Sequence, residues 1–111
     1  MYRTNQIIVA ALVVRAMSMV LKECNLNSHK RVMLLLEAYR LEDKNGSFSG
    51  RELERSFDRN ASTQFRELMH LGYATKSGLY KRPMKLTMKG REVCIRFQRY
   101  YLRLERSKLN A

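Results

Sequence analysis

The chain has 111 residues, 45% of them apolar, which is enough for one domain with a single core. Its 22 Lys and Arg residues exceed the 10 acidic residues by 12, and this excess favours a polyanionic partner, nucleic acid ahead of an anionic membrane. The most apolar run, residues 7 to 14, is far shorter than the roughly 20 residues of a membrane-spanning helix, and no secretory cleavage site follows it. We therefore expect a cytoplasmic protein with no membrane partner.

Two helices are predicted first along the chain. Residues 4–24 contain no Gly or Pro and are apolar on nearly every face, which is typical of a helix buried on more than one side. In a chain this small, a partner chain would have to supply part of that burial. Ser28 is a candidate N-cap for a second helix whose apolar residues recur at three- and four-residue intervals, and Asn45-Gly46 ends that helix.

Two shorter helical patterns follow. Ser47-Phe48 is a candidate minimal strand, and Ser49 with Glu52 three residues later has the spacing of a capping box at the start of a two-turn helix. Residues 61–71 form the fourth helical pattern. At about 100° per residue, one of its faces carries Ala61, Phe65, Leu68 and Gly72, the opposite face carries Thr63, Arg66, Glu67 and His70, and Ser62 lies at the margin.

A hairpin and a last helix complete the prediction. Residues 73–86 are expected to form two strands, Tyr73 to Lys76 and Leu79 to Leu86, joined at Ser77-Gly78, with Pro83 tolerated at an open edge. Thr87 is a candidate N-cap for the final helix, residues 88–109. Residues 76 to 108 carry eleven of the 22 Lys and Arg residues but only two acids, so the C-terminal third is the most cationic part of the chain.

Two short phrases in this order of elements are informative. The first, LMHLGY over residues 68 to 73, resembles the Leu-x-x-x-Gly junction between recognition helix and wing in winged helix-turn-helix proteins. The second, LTMKG over residues 86 to 90, resembles the Leu-Thr-x-x-Gly start of the helix that follows the wing. Residues 28 to 91 are therefore similar to the winged-helix transcriptional regulators, most closely to the MarR-like group.

The resemblance implies a mainly α (α+β) fold in one domain, residues 1–111: a winged helix-turn-helix core at 28–87, with a two-stranded wing, between long dimerisation helices at 4–24 and 88–109. It also implies a homodimer that binds double-stranded DNA as a transcriptional regulator of the repressor type. In such a dimer the recognition helix, 61–71, enters the major groove. The wing, 73–86, lies on the backbone or in the minor groove.

The resemblance also assigns roles to individual residues. Carried over by position, Ser62, Thr63 and Arg66 contact bases in the major groove, and Lys76, Lys81 and Arg82 are wing contacts. The residue types support these roles independently of the family. An exposed face with Thr63, Arg66 and His70 offers donors and acceptors to base edges, Arg suits guanine, and neighbouring Lys and Arg neutralise phosphates.

The sequence is also compatible with functions other than DNA binding. A winged-helix protein-interaction or assembly module and an RNA-binding protein both stay open, since a basic face also fits an acidic protein or RNA. An enzyme is not expected, because the sequence has no recognisable triad, phosphate loop or metal-ligand spacing, and we expect no cofactor and no metal. Cys24 and Cys94 are expected to be packing residues. Whether an effector or cysteine oxidation modulates binding, and which operator is bound, the sequence leaves open.

Overall fold

The computed structural model describes residues 2–76 and 83–109. Within these ranges the protein is mainly helical, with one small antiparallel sheet of two strands. The elements in chain order are α1 (Tyr2–Cys24), α2 (His29–Asn45), α3 (Gly50–Ser56), α4 (Ala61–His70), β1 (Ala74–Lys76), β2 (Met84–Leu86) and α5 (Met88–Leu109). No helix in the described ranges is long and apolar enough to cross a membrane.

Side chains at the helix ends explain where α2 and α3 begin and end. The Ser28 hydroxyl accepts a hydrogen bond from the backbone N–H of Arg31, and Gly46 takes the left-handed conformation at φ 82° after α2. Ser49 and Glu52 form a complete capping box at the start of α3. The predicted caps at Ser28 and Ser49 and the predicted end at Gly46 are therefore confirmed.

The core is formed where α4 packs against the short segment before α3. Ala61, Phe65 and Leu68, predicted to share the inner face of α4, are all buried. Gly72, predicted on the same face, is instead exposed, because α4 ends at His70 and Gly72 takes a left-handed conformation at φ 90° in the turn that follows. Phe48 packs edge-on against Phe65, with ring centroids 5.2 Å apart. This contact lies in a continuous cluster of buried apolar side chains that also includes Val20, Val32, Leu34, Leu35, Leu53, Leu86, Val93 and Cys94.

The hairpin follows α4 directly. In β1 and β2, Ala74 pairs with Leu86 and Lys76 pairs with Met84. Phe48 adds an isolated antiparallel bridge to Met84, so the predicted minimal strand exists as a single bridge that attaches the segment before α3 to the sheet. β1 starts one residue later than predicted, at Ala74, Pro83 is not part of β2, and β2 ends at Leu86 as predicted. The turn at Ser77-Gly78, with Lys81 and Arg82, lies outside the described residues.

The junction between the hairpin and α5 is tightly bonded. The Thr87 hydroxyl donates to the carbonyl oxygen of Gly72 at 2.6 Å and accepts from the backbone N–H of Gly90 at 3.3 Å, as expected of an N-cap. The Lys89 ammonium donates to the carbonyl oxygen of Leu71 at 2.9 Å and lies over the Tyr73 ring. These bonds fix the C-terminal end of α4 relative to the start of α5.

The long terminal helices, α1 and α5, pack against each other. Arg96 on α5 forms ion pairs with Glu92, on the same helix, and with Glu23 on α1. The outer face of α1 is solvent-exposed and apolar, with Ile7 at 68% and Val14 at 51% relative exposure. The packing within one chain therefore leaves this face of α1 uncovered, and its burial by a partner chain stays a prediction.

Candidate functional site

An open groove of about 970 Å³ lies between α4, the start of α3 and the hairpin. Its polar and charged lining comes from all three elements and consists of Ser49, Arg51, Ser62, Arg66, His70, Thr75 and Lys76. Gly50, Met69, Ala74 and Met84 complete the wall. This groove is the candidate functional site, because it combines concave shape with converging polar groups.

The helical period explains which side chains of α4 reach the groove. Successive residues are rotated by about 100°, so Ser62, Arg66, Met69 and His70 lie on one flank, a quarter to half a turn from the buried face. Thr63 is exposed beyond that flank and does not line the groove. The flank therefore presents a guanidinium and an imidazole beside the hairpin.

The cations of the groove are not neutralised within the described residues. Arg51, Arg66 and Lys76 are exposed and take part in none of the ion pairs found there. Among the residues that the structure describes, the groove lining also contains no Asp or Glu. These three positive charges are therefore available to an external anion.

Several acids of the protein are instead paired with Lys or Arg residues that do not line the groove. Glu67, next to Arg66 in sequence, binds Arg31 of α2 at 3.0 Å. Three further cross-element pairs are Lys30–Asp58, Arg91–Glu42 and Arg96–Glu23. The hydrogen bond from Lys30 lowers the pKa of Asp58, with the backbone N–H of Asn60 as a second cause. This arrangement leaves the excess positive charge concentrated on other surfaces, the groove among them.

Ser62 is bonded to a carboxylate on a different helix of the protein. Its hydroxyl donates to Glu54 Oε1 on α3 at 2.5 Å, the distance of a charge-assisted hydrogen bond. A Cβ atom added at Gly50, one turn before Glu54, would lie 3.2 Å from the Ser62 Cβ. The start of α4 therefore lies close against one face of α3.

The structure places the predicted site residues in three groups. Ser62, Arg66, His70 and Lys76 come together around the groove. Thr63 lies outside it on the exposed face of α4, and Lys81 and Arg82 lie outside the described residues. Sequence reasoning missed Ser49, Arg51 and Thr75, and the only signal for Arg51 was its position just after the capping-box serine.

The two cysteines have different surroundings. Cys94 is fully buried, its thiol donates to the carbonyl oxygen of Leu35, and burial raises its pKa to about 12. Cys24 is partly exposed, and partial burial raises its pKa against the opposing effect of Arg96. Neither thiol is activated. Within the described residues, no three His, Cys, Asp or Glu side chains are grouped so that they could hold a metal ion.

The chain was compared with protein-family models, with curated proteins and with solved structures. None of them matches it.

Proposed function

We propose that the protein binds double-stranded DNA as a dimeric winged helix-turn-helix regulator of the MarR-like type. The observation that carries this proposal is the groove, where three cations without an ion-pair partner in the described chain lie beside the exposed flank of α4. The order of the elements supports it: α3 and α4 are separated by a short turn and followed at once by a hairpin, as in that fold.

In this proposal α4 is the recognition helix and lies in the major groove. Arg66 and His70 on its flank, with Thr63 beside them, are directed to base edges. Arg66 is suited to the O6 and N7 acceptors of guanine, and the Thr63 hydroxyl can both donate and accept. The contact between Glu67 and Arg31 leaves Arg66 without an acidic neighbour that would compete for its guanidinium.

The phosphate contacts come from the elements around α4. Lys76 belongs to the hairpin and Arg51 to the start of α3, so they flank α4 on two sides. Lys81 and Arg82 extend the same role along the wing. Each cation that neutralises a phosphate releases a condensed counterion, so binding of this kind weakens steeply as salt is added.

The first test is a salt titration on duplex DNA. We expect Lys76→Ala and Arg51→Ala each to weaken binding to all sequences similarly and to lower the slope of log K against log salt by about one. Lys44→Ala, an exposed cation at the end of α2 and outside the groove, is the matched control and should leave the slope unchanged. If all three variants titrate like the parent, the groove does not hold phosphates.

The second test separates base reading from charge. In a selection from a random duplex library, Arg66→Ala should relax the preference at one position of each half-site, at a cost of about 1–3 kcal/mol in discrimination. Lys76→Ala should recover the motif of the parent. Recovery of an unchanged motif by Arg66→Ala would remove α4 from base recognition. Tighter binding of the parent to single-stranded RNA or to an acidic protein than to any duplex would favour an RNA-binding or assembly role instead.

A further inference from the structure

The pair formed by Ser62 and Glu54 has properties that base reading does not explain. Glu54 is partly buried and has no Lys or Arg within ion-pair distance in the described chain, although the protein carries 22 such residues. Its described hydrogen bond is to the hydroxyl of Ser62, across the gap between α3 and α4. The carboxylate is therefore used to hold another helix of the same chain.

The partnership also restricts what Ser62 can do. A serine hydroxyl has a single hydrogen, and here that hydrogen is donated to Glu54. The hydroxyl cannot at the same time donate to a phosphate or to a base acceptor. A nearby carboxylate also repels phosphate, so this end of α4 is poorly suited to the DNA backbone.

Packing at the same point adds a second contact. Gly50 and Glu54 are four residues apart on α3 and therefore share one face of that helix. The absent side chain at Gly50 lets the Cβ atom of Ser62 approach, and Glu54 bonds the Ser62 hydroxyl one turn further on. The packing contact with Gly50 and the hydrogen bond to Glu54 thereby both hold the start of α4 at Ser62. Ser62 lies one residue before Thr63 and four residues before Arg66.

We propose that Glu54 and Ser62 are positioning residues, which set the angle of α4 against α3 and so determine which bases Thr63 and Arg66 reach. This inference rests on the proposed function, and it changes the expected role of Ser62 from base contact to support of the recognition helix. A side chain that orients base-contacting residues through a hydrogen bond changes the preference between DNA sequences. It does so without itself adding a phosphate contact.

The experiment compares Ser62→Ala, Glu54→Ala and the double variant in the full chain. The readout is the ratio of dissociation constants for a scrambled and a selected duplex, because this ratio cancels the general gain in affinity caused by loss of a negative charge. We expect each single variant to lower the ratio about tenfold and the double variant to lower it no further. Ser62→Thr keeps the hydroxyl and should retain the ratio, and the salt slope should stay constant throughout.

Three results would overturn the inference. If Ser62→Ala lowers the ratio while Glu54→Ala does not, Ser62 contacts DNA directly. If the two losses multiply in the double variant, the residues act independently. If neither variant changes the ratio, the pair does not position α4.

A second readout needs no DNA and separates this inference from the proposed function. Amide hydrogen exchange in the first turn of α4, at Gln64 and Phe65, should become several-fold faster in both single variants and no faster in the double. If the parent shows no preference between duplex sequences, the proposed function is wrong. Hydrogen exchange alone then tests whether the bond between Ser62 and Glu54 holds the start of α4. Unchanged exchange in the single variants would refute the pairing.

Discussion

At the scale of single residues, Gly90 has the least room for a side chain among the glycines in the described part of the chain. A Cβ atom added there would overlap the carbonyl oxygen of Tyr73 and also press on Leu86. That carbonyl accepts from the N–H of Thr87, so it cannot move without loss of the bonded junction before α5. The glycine thus allows the first turn of α5 to lie directly against the end of α4 and the start of the hairpin.

We therefore expect Gly90→Ala to destabilise the protein by about 1–3 kcal/mol, since the backbone must shift to admit the methyl group. Met88→Ala lies in the same helical turn at 84% exposure and should change stability by less than about 0.5 kcal/mol. Chemical denaturation of both variants measures the difference. Equal stability of Gly90→Ala and the parent would mean that α5 and Tyr73 are further apart in solution.

Cys94 predicts how stability changes at alkaline pH. Because the thiol is buried, its folded-state pKa is raised from the ordinary value of 9.0 to about 12, so only the unfolded chain ionises between these values. The contribution of Cys94 to the free energy of unfolding is fully present below pH 9.0. Above that pH it falls by about 1.4 kcal/mol per pH unit. Cys94→Ala should remove that part of the slope. Parallel pH profiles of the parent and Cys94→Ala would show that the thiol is not buried in solution.

At the scale of elements, the capping box of α3 supports one wall of the groove. Ser49 accepts from the N–H of Glu52, the Glu52 carboxylate accepts from the N–H of Ser49, and Arg51 lies between them. Because α3 has only seven residues, this cap fixes a large share of its backbone bonds.

Ser49→Ala should therefore cost about 1 kcal/mol of stability. Ser47→Ala, two residues earlier and without a described hydrogen bond from its hydroxyl, is the control and should be close to neutral. Thermal unfolding of both variants gives the comparison. A neutral Ser49→Ala would indicate that tertiary packing, not the cap, holds α3.

Local features of the helices could be predicted from the sequence, whereas contacts between distant helices could not. The caps at Ser28 and Ser49 and the inner face of α4 depend on neighbours within one or two turns, and local pattern was sufficient to find them. The contact of Glu67 with Arg31 joins residues 36 positions apart, so no local pattern identifies Arg31 as the partner. Which cation pairs with Glu67 depends on how α2 and α4 pack.

The candidate site divides in the same way. The exposed flank of α4 follows from helical period, so Arg66 and His70 were predicted, and basic residues of the hairpin were obvious from composition. Arg51 was missed because its place in the groove depends on α3 packing against α4, for which the sequence has no periodic signal. The bond between Ser62 and Glu54 was missed for the same reason.

At the scale of the whole molecule, the outer face of α1 requires an explanation. Ile7, Ala11 and Val14 follow one another at intervals of three or four residues on a single exposed stripe. The inner face of α1 is already packed on α5 and the core, through Leu12, Ala16 and Val20. An exposed apolar stripe of this kind normally marks an interface, and a second copy of the chain is the occupant that the proposed function requires.

The last prediction concerns this stripe. We expect the parent to sediment as a dimer at micromolar concentration and Ile7→Asp with Val14→Asp to sediment as a monomer, because two charges buried without partners would oppose association. The control makes the same change in charge on exposed residues outside α1, α5 and the groove, Asn27→Asp with Lys44→Gln, and should remain a dimer. A monomeric parent would exclude the α1 interface.

The same variants connect the interface to DNA. A two-fold dimer requires an inverted repeat with half-sites about 10 base pairs apart, so that both copies of α4 face the same side of the duplex. The monomeric variant should therefore bind a single half-site as well as the parent does, yet lose the added affinity for the full repeat. The control pair should keep that added affinity. Loss of half-site binding by the Ile7 and Val14 variant would instead place these residues in the support of α4, and dimerisation would no longer explain the exposed stripe.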